Sequence, residues 1–169
     1  RSYAMAVTLK NKNYPGDLYY DMYDPYHYIR SQKIDDKTYL IVGAEDHKTG
    51  HIENTDECFL KLEAYIRKHF DVDKVEYKWS SQYFEPADAL PYIGYLPGAQ
   101  NNILVATGYG GNGMTYSHIA AMTLKSIILR EENPYIQLYN PNRVKPIAGF
   151  VSFISHNADV LNEFVGKWF

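Results

Sequence analysis

The sequence has a single cysteine, Cys58, among its 169 residues, so no disulfide can form within the chain. One cysteine suits the reducing cytoplasm, where we expect the protein to be located. No apolar run approaches the ~20 residues that a membrane-spanning helix needs, so we predict no membrane insertion. The 17 lysines and arginines do not outnumber the 20 acidic residues, and a net charge of −3 argues against nucleic acid as a partner.

Two kinds of catalytic motif are also absent from the sequence. The six histidines show no metal-ligand spacing with Cys58 or with carboxylates, so we predict no metal site. There is no G-x-S-x-G turn, which excludes the hydrolase arrangement that this turn marks. With 46% hydrophobic and 22% charged residues, the composition indicates an ordinary globular protein with a sizeable core.

The residue type in excess is tyrosine, with 17 in the chain, and the densest run lies between residues 14 and 28 (YPGDLYYDMYDPYHY). Such crowding is typical of a half-buried sheet, and it also fits a surface that stacks on a sugar or on a flat ring. These alternatives leave open a non-enzymatic module that binds a sugar or a protein through its tyrosine-rich surface.

Tyr28 and Arg30 lie two residues apart on a predicted strand, so their side chains should share one face of the sheet. A bidentate arginine with a tyrosine hydroxyl is a suitable clamp for a carboxylate. The alternative for Arg30 is an exposed strand position, paired with Asp35, Asp36 or solvent. His47, in the loop AEDHKTG, is a candidate for contact with substrate or an active-site water, or else an ordinary loop histidine.

Alternation of apolar and polar residues predicts an antiparallel meander in the first part of the chain. Its expected strands are Ser2 to Lys10, Tyr19 to Tyr23, Tyr26 to Ser31 and Thr38 to Gly43. A helix capped by Asn54 or Thr55 follows, with an apolar stripe that would lie on the sheet. The remaining predicted elements are a long strand from Val72 to Phe84, a short extended piece from Tyr135 to Tyr139, and a closing amphipathic helix from Ser155 to Phe169.

The stretch from Ile103 to Leu129 reads as a buried strand, a glycine turn and a helix that starts near Met114. A helix start offers N–H groups without partners, and this suits an anion or a polarised oxygen. The candidate binding residues are Gly108, Gly110, Gly111, Asn112, Gly113, Met114 and Thr115. The spacing G-x-G-x-x-G is formally present, but the second strand of a dinucleotide site does not follow it. A turn rich in glycine for packing alone and a nucleotide-phosphate site are the alternatives.

The order of motifs resembles the C-terminal half of the FAD-dependent amine and D-amino-acid oxidase family. The matching residues are Trp79, then Asp88, Pro91, Ile93 and Gly94 of a D-x-x-P-x-I-G segment, then Gly108 to Thr115. The segments DPYHYIR and YLIVGAEDHKTG look like paired strands of that family's substrate domain. Where the family often has W-x-G-x-R this chain has WSSQY, and the variant is closest to members fused to a Rieske iron–sulfur domain.

This resemblance implies an FAD-dependent oxidoreductase that oxidises a small amine or amino acid by hydride transfer to the flavin. It implies that the amides from Gly110 to Thr115 face the flavin ring. In such an enzyme Tyr28, Arg30 and His47 are our candidate catalytic residues. The family's N-terminal βαβ unit is not in the sequence, so we expect an inactive fragment that does not bind FAD tightly by itself. Its expected partners are the substrate, that missing FAD-binding half, and a Rieske domain beyond Phe169.

Together these patterns predict an α+β fold with a mixed, largely antiparallel sheet and helices packed on one side. A strand, a glycine turn and a helix would complete a missing FAD domain. We expect a substrate domain over residues 1–98, a flavin-facing segment over residues 99–132, and a C-terminal extension with the closing helix over residues 133–169.

Overall fold

The structure is a computed structural model that describes residues 1–99 and 102–143 of the chain. The chain divides into two compact units, the first from Arg1 to Gln82 and the second beginning at Tyr83. Each unit contains strands and helices and has its own cluster of buried residues. The predicted α+β class is therefore confirmed.

The first unit is built on a five-stranded sheet. Its strands are β1 (Ser2–Leu9), β2 (Tyr19–Tyr20), β3 (Tyr28–Ile34), β4 (Lys37–Ala44) and β5 (Val72–Ser81). They are ordered β2-β3-β4-β1-β5, and every neighbouring pair is antiparallel. Helix α1 (Asp56–His69) connects β4 to β5, which lets the first strand of the chain lie inside the sheet rather than at its edge.

The core of the first unit lies between α1 and one face of the sheet. Leu62 and Ile66 of α1 are fully buried, and they pack with alternate residues of β1 and β4. The residues that β1 contributes are Tyr3, Met5, Val7 and Leu9. Because side chains alternate across a strand, the residues between them belong to the opposite face of the sheet, outside this core.

Strand β2 is shorter than the sequence predicts, because Asp21 ends it. The Asp21 carboxylate accepts hydrogen bonds from the His27 backbone N–H and Nδ1, both at 2.8 Å, and from the Tyr65 hydroxyl at 3.1 Å. Burial opposes the ionisation of Asp21, but these hydrogen bonds outweigh it and hold its pKa below the usual range. The bonds close a loop after Tyr20, so the predicted strand to Tyr23 was wrong in its second half.

The described part of the second unit consists of a two-stranded antiparallel sheet and two helices. Strand β6 (Tyr92–Tyr95) pairs with β7 (Leu104–Thr107), and the helices are α2 (Gly113–Leu129) and α3 (Tyr135–Tyr139). Ile93, Ala120 and Tyr139 are buried together among these elements. The predicted order of strand, glycine turn and helix is therefore present in β7 and α2.

The segment Tyr135–Tyr139 is helical, and the prediction of an extended piece there was wrong. Asn133 explains the difference, because its side-chain oxygen accepts a hydrogen bond from the Tyr135 N–H at 2.9 Å. Pro134 precedes the helix with a φ of −64°, which already suits a helix start. The predicted closing helix from Ser155 to Phe169 lies outside the described residues.

We expect Leu62→Ala to lower the free energy of unfolding by about 2–5 kcal/mol, because this side chain is fully buried between α1 and the sheet. The matched control is Leu60→Ala on the same helix, where the leucine is 66% exposed. That change should cost no more than about 0.5 kcal/mol. Urea unfolding measures both values, and equal destabilisation by the two changes would contradict the packing of α1.

Candidate functional site

Tyr28 and Arg30 lie on the sheet face opposite α1. Ile29 between them is buried in the core beneath the helix, and side chains alternate along a strand, so both neighbours point the other way. Across β3 and β4, Tyr28 pairs with Gly43 and Arg30 pairs with Ile41. The structure thus brings the two predicted substrate-binding residues to one surface.

The strand register extends this surface across the sheet. We call the surface, which consists of two rows of side chains, the open face. The first row consists of Tyr28, Gly43, Ala4 and Trp79, and the second of Arg30, Ile41, Ala6 and Tyr77. Three of the four residues in the middle of the open face, Gly43, Ala4 and Ala6, are small and buried, and two large aromatic residues stand on β5. Trp79 is 45% exposed and Tyr77 is 60% exposed, so both rings present apolar surface to a ligand.

The ring of Tyr28 lies directly on the backbone of Gly43. A Cβ at residue 43 would collide with carbons of this ring, so glycine is required for the packing. Burial raises the pKa of Tyr28, and the charge of Asp46 acts in the same direction, while Arg30 opposes both. The hydroxyl therefore stays protonated at neutral pH and can donate a hydrogen bond to an anion.

Arg30 is exposed, and its guanidinium donates a hydrogen bond to the side-chain oxygen of Gln32 at 2.7 Å. Among the carboxylates of residues 1–99 and 102–143, including Asp35 and Asp36, none forms an ion pair with Arg30. The positive charge and several N–H donors of this side chain thus remain for an anionic group.

His47 follows β4, and both of its ring nitrogens are within hydrogen-bond distance of protein groups. Nδ1 lies 2.8 Å from the carbonyl oxygen of Lys48, and because a carbonyl only accepts, Nδ1 carries the proton. Nε2 then accepts a hydrogen bond from the Tyr3 hydroxyl at 2.9 Å. Tyr3 belongs to the core beneath α1, so this bond draws the His47 ring toward that side of the sheet. A contact between His47 and substrate stays a prediction.

The glycine turn lies in the second unit, between β7 and α2. Gly108, Gly110 and Gly111 have φ values of 75°, 53° and 79°. Residues with a side chain rarely adopt such values, so these glycines determine the path of the backbone. The turn brings the chain from the end of β7 to the first residue of α2, Gly113, within five residues of Gly108.

The segment that precedes β6 supports the glycine turn. The carbonyl oxygen of Phe84 accepts a hydrogen bond from the Gly110 N–H at 3.0 Å. Pro86 fills the position that a side chain on Gly108 would need, since its Cγ lies 2.6 Å from the place of a Cβ there. Phe84 therefore belongs to this support, whereas the predicted strand to Phe84 ends at Ser81. The amide of Gly110 is engaged within the protein and shapes the turn.

The start of α2 is open to solvent and carries no negative charge. Asn112 and Thr115 are exposed, and Met114 is 82% exposed. No acidic residue lies in the first turn, and the Asn112 side chain donates to the Gly110 carbonyl at 3.2 Å instead of capping the helix. The described part of the chain supplies no backbone acceptor for the N–H groups of Gly113, Met114 and Thr115. These groups present the positive end of the helix dipole.

This helix start fits the electron-rich edge of a planar cofactor such as a flavin. A polarised oxygen there would gain hydrogen bonds from N–H groups that lack backbone partners among the described residues, and the first turn holds no carboxylate to repel it.

Within residues 1–99 and 102–143, no group of three or more His, Cys, Asp or Glu side chains could hold a metal ion. None of the helices that the structure describes is long and apolar enough to cross a membrane.

Sequence reasoning missed most of the open face. The residues that it did not single out are Ala4, Ala6, Ile41, Gly43 and Tyr77. The only local signal is that small residues alternate with large ones in β1, a pattern that fits close packing equally well. Trp79 stood out as part of a motif, but its place beside Tyr28 depends on the strand register.

Comparison with known proteins covers both the open face and the glycine turn. The family model described as FAD dependent oxidoreductase matches residues 1–126, which include the open face and the glycine turn. The protein YhfW of Bacillus subtilis (strain 168), whose name is that of a Rieske 2Fe–2S iron–sulfur protein, is 30% identical over 165 residues. This match covers 98% of the chain but 32% of the relative's length. No solved structure gives a significant match. The chain belongs to the family of FAD-dependent oxidoreductases.

Proposed function

We propose that this chain is the substrate-binding and flavin-facing part of a longer enzyme that oxidises a small amine or amino acid. The observation that carries the proposal is the start of α2, where N–H groups without backbone partners in the described chain follow the glycine turn. Family membership supplies the cofactor class, and this helix start offers a place for the cofactor's electron-rich edge.

Bound FAD would supply the acceptor for a hydride that leaves the substrate carbon. The N–H groups of Gly113, Met114 and Thr115 would stabilise negative charge at that place without giving up a proton. Because these donors belong to the backbone of a 17-residue helix, they need little reorganisation when charge develops.

The open face of the first unit is a separate proposed site, where the substrate would be oriented. Arg30 offers guanidinium donors, and Tyr28 offers a protonated hydroxyl on the same surface. Together they suit the carboxylate of an amino acid. Trp79 and Tyr77 lie in the same rows and would contact the apolar part of a small substrate. A role for His47 would require its bond to Tyr3 to open.

The proposal that the chain is a fragment rests on α2. Met122, Ile128 and Leu129 are 64%, 65% and 58% exposed, whereas Thr123 and Ser126 are buried. A surface helix in a complete domain normally shows the reverse pattern. An N-terminal βαβ unit, which the family resemblance implies, would cover this apolar surface. The length of the Bacillus relative, of which this chain matches 32%, supports a longer protein.

The same relative supports a Rieske domain as a further part of that protein, because its name describes a Rieske iron–sulfur protein. A cytoplasmic location is proposed on the single cysteine, Cys58, which is buried and reduced in the first unit. These two proposals are independent of the geometry of the open face and of the glycine turn.

A second candidate function is a binding module for a sugar or a protein. One observation favours it, namely that the loop around β2 exposes a cluster of apolar and aromatic side chains. Its members, each 50% exposed or more, are Leu18, Tyr19, Tyr20, Met22, Tyr23 and Tyr26. Aromatic surfaces of this kind stack on sugar rings. Saturable binding of simple sugars by the chain alone, measured by tyrosine fluorescence, would favour this module over the enzyme.

Titration with FAD tests the proposed function. We expect the longer protein to bind FAD saturably and the chain alone to bind it weakly, because in this proposal the pyrophosphate and adenine contacts lie outside residues 1–169. Adding that half back to the chain should restore binding, as measured by the change in flavin fluorescence. A longer protein that does not bind flavin would overturn the proposal.

We expect Thr115→Glu to stabilise α2 and to weaken the flavin site at the same time. A carboxylate in the first turn complements the helix dipole and should raise the free energy of unfolding by about 0.3–1 kcal/mol. The same charge would repel the electron-rich ring edge, so flavin affinity and reduction potential should both fall. Thr115→Gln is the neutral control. Thermal unfolding and a redox titration of the longer protein give the measurements, and an unchanged potential would count against this placement of the ring.

We expect Arg30→Met to raise the KM for an amine that carries a carboxylate by about tenfold to a hundredfold, the size of a lost hydrogen bond to a charged group. Lys33→Met is the control, because Lys33 is exposed on the same strand but belongs to the other face. Steady-state kinetics with two amines, one with and one without the carboxylate, isolate the effect. An equal response of both substrates to Arg30→Met would argue against the clamp.

A further inference from the structure

We propose that Arg143 is a positioning residue for the glycine turn, so that the segment after α3 controls the backbone that faces the flavin. This inference rests on the proposed function, because it assumes that the start of α2 meets the ring. Arg143 lies beyond residue 126, where the family match ends. Its guanidinium nevertheless binds Asp88 and Pro91, which lie 55 and 52 positions earlier in the chain.

The guanidinium of Arg143 holds one short segment of chain from several sides. Its Nε and Nη2 donate to the two oxygens of Asp88 at 2.7 and 2.8 Å, and these side chains are only 6% and 8% exposed. Nη2 also donates to the carbonyl of Leu90 at 2.5 Å, and Nη1 donates to the carbonyl of Pro91 at 2.9 Å. A single buried side chain therefore binds three of the four residues from 88 to 91.

The segment that Arg143 holds is in contact with the glycine turn. The guanidinium carbon lies 4.1 Å from the centre of the Tyr92 ring, and Tyr92 pairs with Thr107, the residue before Gly108. Both Tyr92 and Pro86 lie against Gly108, with Tyr92 Cδ2 3.6 Å and Pro86 Cγ 2.6 Å from the place where a Cβ would be. Arg143 is thus connected to Gly108 in two ways, through Tyr92 and through the segment that leads back to Pro86.

Burial makes this connection sensitive to the loss of Arg143. Loss of the bidentate partner would remove two charge-assisted hydrogen bonds from a carboxylate that is only 8% exposed, which is costly, and we expect the segment to move. Ala89 has a φ of 59°, a value that a residue with a side chain keeps only where its neighbours hold it. Movement of this segment would carry Pro86 away from Gly108, and the turn would lose this part of its support.

Arg143→Met in the longer protein tests the inference through flavin binding rather than through activity. We expect the flavin dissociation constant to rise about tenfold, the size of one lost hydrogen bond to a charged group. The reduction potential should become more negative, because displaced N–H groups stabilise the reduced ring less. Arg143→Lys should keep only part of the original flavin affinity and reduction potential, since an ammonium lacks the planar, two-pronged donor geometry of a guanidinium. Lys125→Met, which breaks the exposed pair with Glu131, is the charge-matched control and should change neither.

Pro86→Ala provides a second route if Arg143→Met does not fold, because it keeps the ion pair and removes only the contact with Gly108. It should shift the potential in the same direction with little loss of thermal stability. Unchanged flavin affinity and potential in the variants that fold would overturn the positioning role and leave Arg143 as a stabilising residue only. A longer protein that binds no flavin even with Arg143 intact would instead overturn the proposed function, so the two failures are distinguishable.

Discussion

Both candidate sites depend on side chains that pack directly onto glycine backbone. In the first unit the Tyr28 ring occupies the space above Gly43, and in the second unit Pro86 occupies the space beside Gly108. A Cβ at either glycine would have to displace the neighbouring ring or segment, because protein interiors have no room to absorb it. The place of the Tyr28 hydroxyl and the path of the glycine turn thus follow from the absence of a Cβ at Gly43 and Gly108.

The two units offer positive potential by different physical means. Arg30 carries a full charge on a flexible, exposed side chain, which can follow a carboxylate but is strongly hydrated. The start of α2 carries only partial charges, but they belong to backbone N–H groups whose directions the helix determines. The first arrangement suits a substrate that arrives and leaves, and the second suits a cofactor edge that stays in one place.

In the second unit some charged side chains are buried and some apolar side chains are exposed, the reverse of the usual arrangement. Its interior holds an arginine–carboxylate pair, whereas the outer surface of α2 carries Met122, Ile128 and Leu129. The hydrophobic periodicity of this helix correctly predicts its length and type. It does not predict that small and polar residues such as Thr123 face the interior, because periodicity identifies an apolar face but not the contacts that bury a helix.

Local patterns in the sequence determined the place of the strands of the central sheet but not all of their ends, and also the glycine turn, the extent of the two long helices and the family. They succeeded because alternation, glycine runs and motif order are properties of neighbouring residues. Only the tertiary structure decided that Trp79 and Tyr77 share a face with Tyr28 and Arg30, and that His47 binds Tyr3. It also paired Asp88 with Arg143 across 55 positions. Strand register and buried ion pairs arise from contacts between distant residues, and no short pattern encodes which distant residues will meet.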